Sequence, residues 1–98
     1  MNIDDVRRLI EPDESALRAR GVTALYVFGS VVRGDSKPTS DVDLIVDYDP
    51  GSNFNLIDLA AIRRNLSDRF GVNVDVVTRN GIHRRIRERV LGEAVRVM

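Results

Sequence analysis

Three aspartates and one Gly-Ser pair carry the chemistry of this sequence. Gly29-Ser30 closes the apolar run TALYVF, and after ten intervening residues Asp41 and Asp43 flank a single valine at the head of a second run, DVDLIVD. A third acid, Asp75, sits inside VNVDVVT. A carboxylate within an apolar strand is costly unless something pairs with it. On an extended strand Asp41 and Asp43 share one face, with Cα atoms roughly 6.5–7 Å apart. Asp75 joins that face if its strand lies beside theirs. Three carboxylates about 5 Å apart repel by roughly 3 kcal/mol per pair at an effective dielectric near 20, a large fraction of the stability of a small domain. A divalent cation relieves this repulsion, and an all-oxygen set without His or Cys suits Mg²⁺ or Mn²⁺, ions that commonly bridge carboxylates and substrate phosphates. The Gly-Ser pair supplies the other half. Gly29 at a strand end lets the backbone approach an anion closely, and Ser30 can open a short helix whose free N–H groups and hydroxyl face a phosphate. Arg33 lies within reach as either an added phosphate contact or a plain surface arginine.

The elements that must hold these residues are legible in the apolar spacing. Ile3, Val6 and Ile10 recur at helical intervals, Pro12 interrupts, and Ala16, Leu17 and Ala19 resume, which predicts two short helices or one kinked helix stopped by Gly21. Thr23 to Phe28 is an unbroken apolar run of strand length, as expected for a central strand covered on both faces. RGDSKPTS is loop chemistry. Val42, Leu44 and Val46 alternate with Asp41, Asp43 and Asp47, giving a strand with an apolar face and a mostly acidic one. After the turn DPGSN, Ser52 or Asn53 is expected to cap a long helix with Leu59, Ile62, Leu66 and Phe70 as its core stripe and Gly71 as its end. Val72, Val74 and Val76 define a third strand, and a last helix, roughly Ile82 to Leu91, sets Ile82, Ile86 and Val90 on one side. AVRVM remains as a possible edge strand. The expected fold is α/β (α+β), a small mixed sheet flanked by helices.

Composition narrows the classes. A chain of 98 residues is expected to form a single minimal domain, residues 1–98, without a second lobe to enclose a large substrate. Its 15 basic and 15 acidic residues balance to a net charge of +0, so no strong nucleic-acid binding of its own is expected. Cysteine is absent, which excludes a disulfide framework and a Cys-type zinc site. No run approaches the roughly 20 apolar residues of a membrane span, and MNIDDVRR lacks the apolar core of a signal peptide. The expectation is a soluble cytoplasmic domain.

The order G-S, ten residues, D-x-D, then a carboxylate on a later strand resembles the signature of the nucleotidyltransferase superfamily with the DNA polymerase beta-like fold. Over its whole length, through LYVFGSVVRGDSKPTSDVDLIV, a helix, VDVVT and a closing ERVLGEAV, the chain is similar to the minimal members of that superfamily, the MntA-like antitoxins of prokaryotic toxin–antitoxin pairs. The resemblance implies that Asp41 and Asp43 bind two Mg²⁺ ions that hold a nucleoside triphosphate. It implies that Asp75 binds the catalytic metal and helps to deprotonate the attacking hydroxyl. It also implies that Gly29 and Ser30 hold the β- and γ-phosphates, with Arg33 in support. The implied reaction moves AMP from ATP to a tyrosine of a partner toxin of the HEPN (helical ribonuclease) fold, silencing it. Phosphoryl chemistry of this kind needs positioning and charge neutralisation more than covalent help.

Two other functions fit the same residues: an antitoxin that neutralises its toxin by occlusion with weak or no catalysis, and transfer to a small molecule, which the missing second domain disfavours. A calcium loop over Asp47 to Asp58 fails on Ser52 at its sixth position and Asp58 at its twelfth. A glycosyltransferase reading of D-x-D fails on length. His83, the only histidine, reads as a structural helix-start residue. Arg84, Arg85, Arg87 and Arg89 make the last helix basic, either as a solvated face balanced by Glu88 and Glu93 or as a contact for a partner or RNA.

Overall fold

The computed structural model describes all 98 residues. Helix α1 (Ile3–Ile10) starts at Asn2, whose side chain accepts the Asp5 N–H at 2.8 Å while the Asp5 carboxylate accepts the Asn2 N–H at 3.0 Å. This reciprocal cap satisfies two orphan donors of the first turn. A 3₁₀ turn, Glu11–Asp13, follows with Pro12 in its first turn, and α2 (Glu14–Ala19) continues beyond it. Pro12 thus separates two short helices, as its missing N–H requires. The remaining elements are β1 (Val22–Phe28), α3 (Ser30–Arg33), β2 (Val42–Tyr48), α4 (Leu56–Phe70), β3 (Val74–Thr78), α5 (Arg84–Glu93) and β4 (Val95–Arg96).

The sheet has the order β3-β2-β1-β4. Strand β1 runs antiparallel to both β2 and β4, whereas β2 and β3 are parallel. A parallel pair needs a crossover connection, and α4 provides it. One face of the sheet packs Leu25, Val27, Leu44, Val46, Val74 and Val76 against α1, α2 and α4, with Ile10, Leu17, Ile62, Leu66 and Phe70 among the buried partners. On the other face Ile45 packs with Ile82 and Val90 from the α5 region, and Tyr26, Phe28 and Val77 border them. The mixed sheet flanked by helices is the expected architecture.

Local departures have physical reasons. Asn55 caps α4, accepting the Ile57 N–H at 2.9 Å and the Asp58 N–H at 3.3 Å, while Asp58 accepts the Asn55 N–H at 3.0 Å. Neither Ser52 nor Asn53 has an acid three residues on to close such a box. The Ser52 hydroxyl instead donates to the Asp49 carbonyl at 2.6 Å within the turn. Ile82 is buried but extended rather than helical, so it does not share a helical stripe with Ile86, which is 41% exposed. Strand β2 begins at Val42 and leaves Asp41 just outside it, exposed.

Candidate active site

Strand β1 ends at Phe28, which pairs with Asp43. The chain then turns at Gly29 with φ 77° and ψ −143°, a conformation open essentially to glycine alone. A Cβ at this position would lie 2.7 Å from Asp43 Oδ2, so any other residue would also push the Asp43 carboxylate aside. Ser30 opens α3, whose buried Val31 anchors the turn to the core. The N–H groups of Val32 and Arg33 both donate back to the Gly29 carbonyl at 3.1 Å. The Gly-Ser turn and Asp43 are therefore in direct contact.

Register brings in the third acid. Val42 pairs with Val74, Asp43 with Asp75 and Leu44 with Val76. Burying the flanking apolar pairs on the α4 face turns both aspartates to the α5 face, because successive side chains alternate. The start of β3 is pinned to α4 by the Val74 N–H, which donates to Ser67 Oγ at 2.9 Å, and to β2 by the Val42 N–H, which donates to the Asn73 carbonyl at 3.0 Å.

The electrostatics are uneven. Asp43 is half-buried, and burial first, then the negative charges of Asp75 and Asp41, push its pKa above the usual aspartate value; Arg33 pulls it back. Asp41 is exposed but close enough to act on Asp43. Asp75 has a counter-charge of its own, since Arg63 Nη2 lies 3.0 Å from its Oδ1. The apolar stripe of α4 faces the opposite side of the sheet, so this bridge passes round β3, the free edge strand. Arg33 is 55% exposed and lies 3.7 Å from Asp35 and 3.6 Å from Glu93. Glu93 Oε1, from the end of α5, also accepts the Gly29 N–H at 3.3 Å.

Asp43, Asp75 and Gly29 are thus brought together, Ser30 and Arg33 adjoin them, and Asp41 stands at the mouth of the strand. Arg63 and Glu93 are additions that the sequence reading did not place here. Arg63 gave no signal, being one of two adjacent arginines on a polar helix face. Glu93 gave a faint one: an acid in the last turn opposes the helix dipole and needs a reason. Arg63 also amends the repulsion argument, because an internal cation already offsets one of the three acids. His83 caps α5 through Nδ1, which accepts the Arg85 N–H at 3.1 Å, consistent with a structural role.

The donor set suits a hard divalent cation. All three acids offer carboxylate oxygens only, burial together with the charges of Asp75 and Asp41 disfavours a bare Asp43 carboxylate, and the missing Gly29 side chain keeps the space beside Asp43 Oδ2 clear. No three acidic side chains converge on one point, so a bound ion would draw its remaining ligands from substrate or water, as Mg²⁺ commonly does. The acids line an open face. The hollow of about 430 Å³ among Thr23, Tyr48, Thr78 and Arg79 lies at the opposite ends of β2 and β3.

Known proteins resemble this chain in sequence and in fold. The model of the nucleotidyltransferase domain matches residues 14–97. MJ0435 of Methanocaldococcus jannaschii, a candidate protein adenylyltransferase, is 39% identical over 98 residues, covering 100% of both chains. The protein adenylyltransferase MntA of Thermococcus cleftensis is 32% identical over 98 residues, 99% of this chain and 97% of its own. Among solved structures, a candidate minimal nucleotidyltransferase superposes with a TM-score of 0.77 at 37% identity, covering 97% of this chain and 95% of that one. A toxin–antitoxin structure with AMP-PNP shares the fold, with a TM-score of 0.70 at 19% identity over 100% of this chain and 73% of that one. No helix is long and apolar enough to cross a membrane. The Gly-Ser turn and all three aspartates lie within the matched span, and the chain belongs to the nucleotidyltransferase domain family.

Proposed function

We propose that this nucleotidyltransferase is a Mg²⁺-dependent protein adenylyltransferase that moves AMP from ATP to a hydroxyl of a partner toxin of the HEPN fold, and so acts as the antitoxin of the pair. The observation that carries the reading is the cross-strand pairing of Asp43 with Asp75 beside a turn whose positive φ and close approach to Asp43 favour glycine. The names of the full-length relatives support the protein acceptor, and the fold shared with a toxin–antitoxin structure with AMP-PNP supports the nucleotide and the partner.

In this mechanism Asp43 and Asp75, with Asp41 beside them, would hold Mg²⁺, or Mn²⁺ as a substitute, and substrate oxygens and water would complete the ligand set. The ion, when bound, supplies charge neutralisation on the triphosphate and acidity at the attacking hydroxyl. Gly29 and Ser30 bind the β- and γ-phosphates through backbone N–H and hydroxyl donors, and Arg33 adds charge-assisted support. Asp75 accepts the proton of the acceptor hydroxyl as its oxygen bonds to the α-phosphorus. The bond from that phosphorus to the bridging oxygen breaks, and pyrophosphate departs with the electron pair. The protein's share is orientation and charge placement, the main needs of phosphoryl transfer.

The test is to incubate the purified protein with Mg²⁺, ATP and the product of the adjacent gene, and to measure intact masses. The partner gains one AMP, and Asp43→Ala abolishes the gain. If no mass is added while Asp41→Ala still neutralises the toxin, neutralisation is by occlusion and the catalytic reading is wrong.

A further inference from the structure

The two groups assigned to phosphate binding, the Gly29 N–H and Arg33, are both engaged by one internal anion. Glu93 Oε1 lies 3.3 Å from the Gly29 nitrogen and 3.6 Å from Arg33 Nη1. Glu93 is the last residue of α5, where its charge opposes the helix dipole. Its side chain is only 27% exposed, so it does not simply extend into solvent. The favourable partners within reach of that carboxylate are donors that a phosphate would also use.

We propose that Glu93 is an internal stand-in for a nucleotide phosphate: it holds the Gly29 turn and Arg33 in place in the free protein and yields both donors when the triphosphate arrives. The proposal rests on the phosphate role given above to Gly29 and Arg33. Glu93 is a positioning residue in this scheme and touches no reacting atom. Its benefit is a turn already shaped for an anion, and its cost is competition with the ligand. A like charge roughly 6 Å from a phosphate, at an effective dielectric near 40 for a partly exposed site, weakens binding by about tenfold.

Glu93→Gln separates the two effects, because the amide oxygen can still accept the Gly29 N–H while the charge is gone. Binding of Mg²⁺-ATP, and separately of inorganic tripolyphosphate with Mg²⁺, is measured by titration calorimetry on wild type and variant. The expected result is roughly three- to tenfold tighter binding of both ligands by Glu93→Gln, with the ligand-free melting temperature changed little. Tripolyphosphate, which lacks a base, isolates the phosphate contribution. In an Arg33→Ala background the gain shrinks, since one of the contested donors is absent. Glu93→Ala loses the acceptor for Gly29 as well, and its ligand-free melting temperature falls. Wild-type binding with an equal or weaker Glu93→Gln response overturns the role of Glu93 and leaves the phosphate site standing. Binding by Glu93→Gln alone supports the stand-in, and no binding by either protein overturns both readings.

Discussion

Asp43→Asn should stabilise the metal-free protein while abolishing its activity. Asp43 sits across from Asp75 in the parallel pair, and carboxylates about 5 Å apart repel by roughly 3 kcal/mol at an effective dielectric of 20. Both groups remain partly open to solvent and Asp75 is bridged to Arg63, so screening reduces the relief to about 1 kcal/mol. In a domain of roughly 100 residues that corresponds to a rise in melting temperature of about 4–8 °C. The pH dependence follows from the raised folded-state pKa. The fold holds the Asp43 proton more tightly than the unfolded chain does, so ionisation penalises the fold. That penalty is complete above the folded pKa and declines as pH falls toward the unfolded value. Calorimetric melting in EDTA should therefore show the variant above wild type at pH 7, with the two curves converging as the solution is acidified toward the usual aspartate range. Adding Mg²⁺ and ATP should raise the melting temperature of wild type and leave the variant nearly unmoved. An Asp43→Asn protein no more stable than wild type at pH 7 would refute the account of strained charge.

Gly29→Ala combines a positive φ with a Cβ placed 2.7 Å from Asp43 Oδ2. Urea unfolding should show a loss of about 3 kcal/mol, and activity should fall with it because Asp43 must move. Ser67→Ala removes the hydroxyl that accepts the Val74 N–H at the start of β3. It should cost about 1 kcal/mol in the same assay and reduce AMP transfer by loosening the strand that carries Asp75, with substrate binding affected less.

The apolar periodicity made most of the fold legible. Val42, Leu44 and Val46, with Val74 and Val76, gave both strands their inward faces, and those faces fix where Asp43 and Asp75 point. Pro12 marked the break between α1 and α2 because its effect is local. The cap of α4 was misplaced because Ser52, Asn53 and Asn55 are all good cap residues, and Asp58, three residues beyond Asn55, decides among them. The spacing of Ile82, Ile86 and Val90 suggests one helical side, but a 3₁₀ turn, Arg79–Gly81, and an extended Ile82 precede α5, so Ile82 lies outside the helix that carries the other two. Arg63 and Glu93 were out of reach for a different reason. Each meets its partner across a long sequence separation through a flexible charged side chain, and no periodic pattern encodes such a meeting.

The parallel pairing of β2 with β3 has a consequence for the order in which the molecule is made. The Gly29 turn and Asp43 are neighbours through an antiparallel pair with a short connection, whereas Asp75 reaches register only after α4 has crossed the sheet. Closing the longer loop costs more chain entropy, and contacts of greater sequence separation form more slowly. The anion-facing turn and the first acid can thus assemble early, while the last acid waits for the crossover. Completion of the acid pair is therefore expected late in folding, with Asp75 the last of the site residues to reach its place.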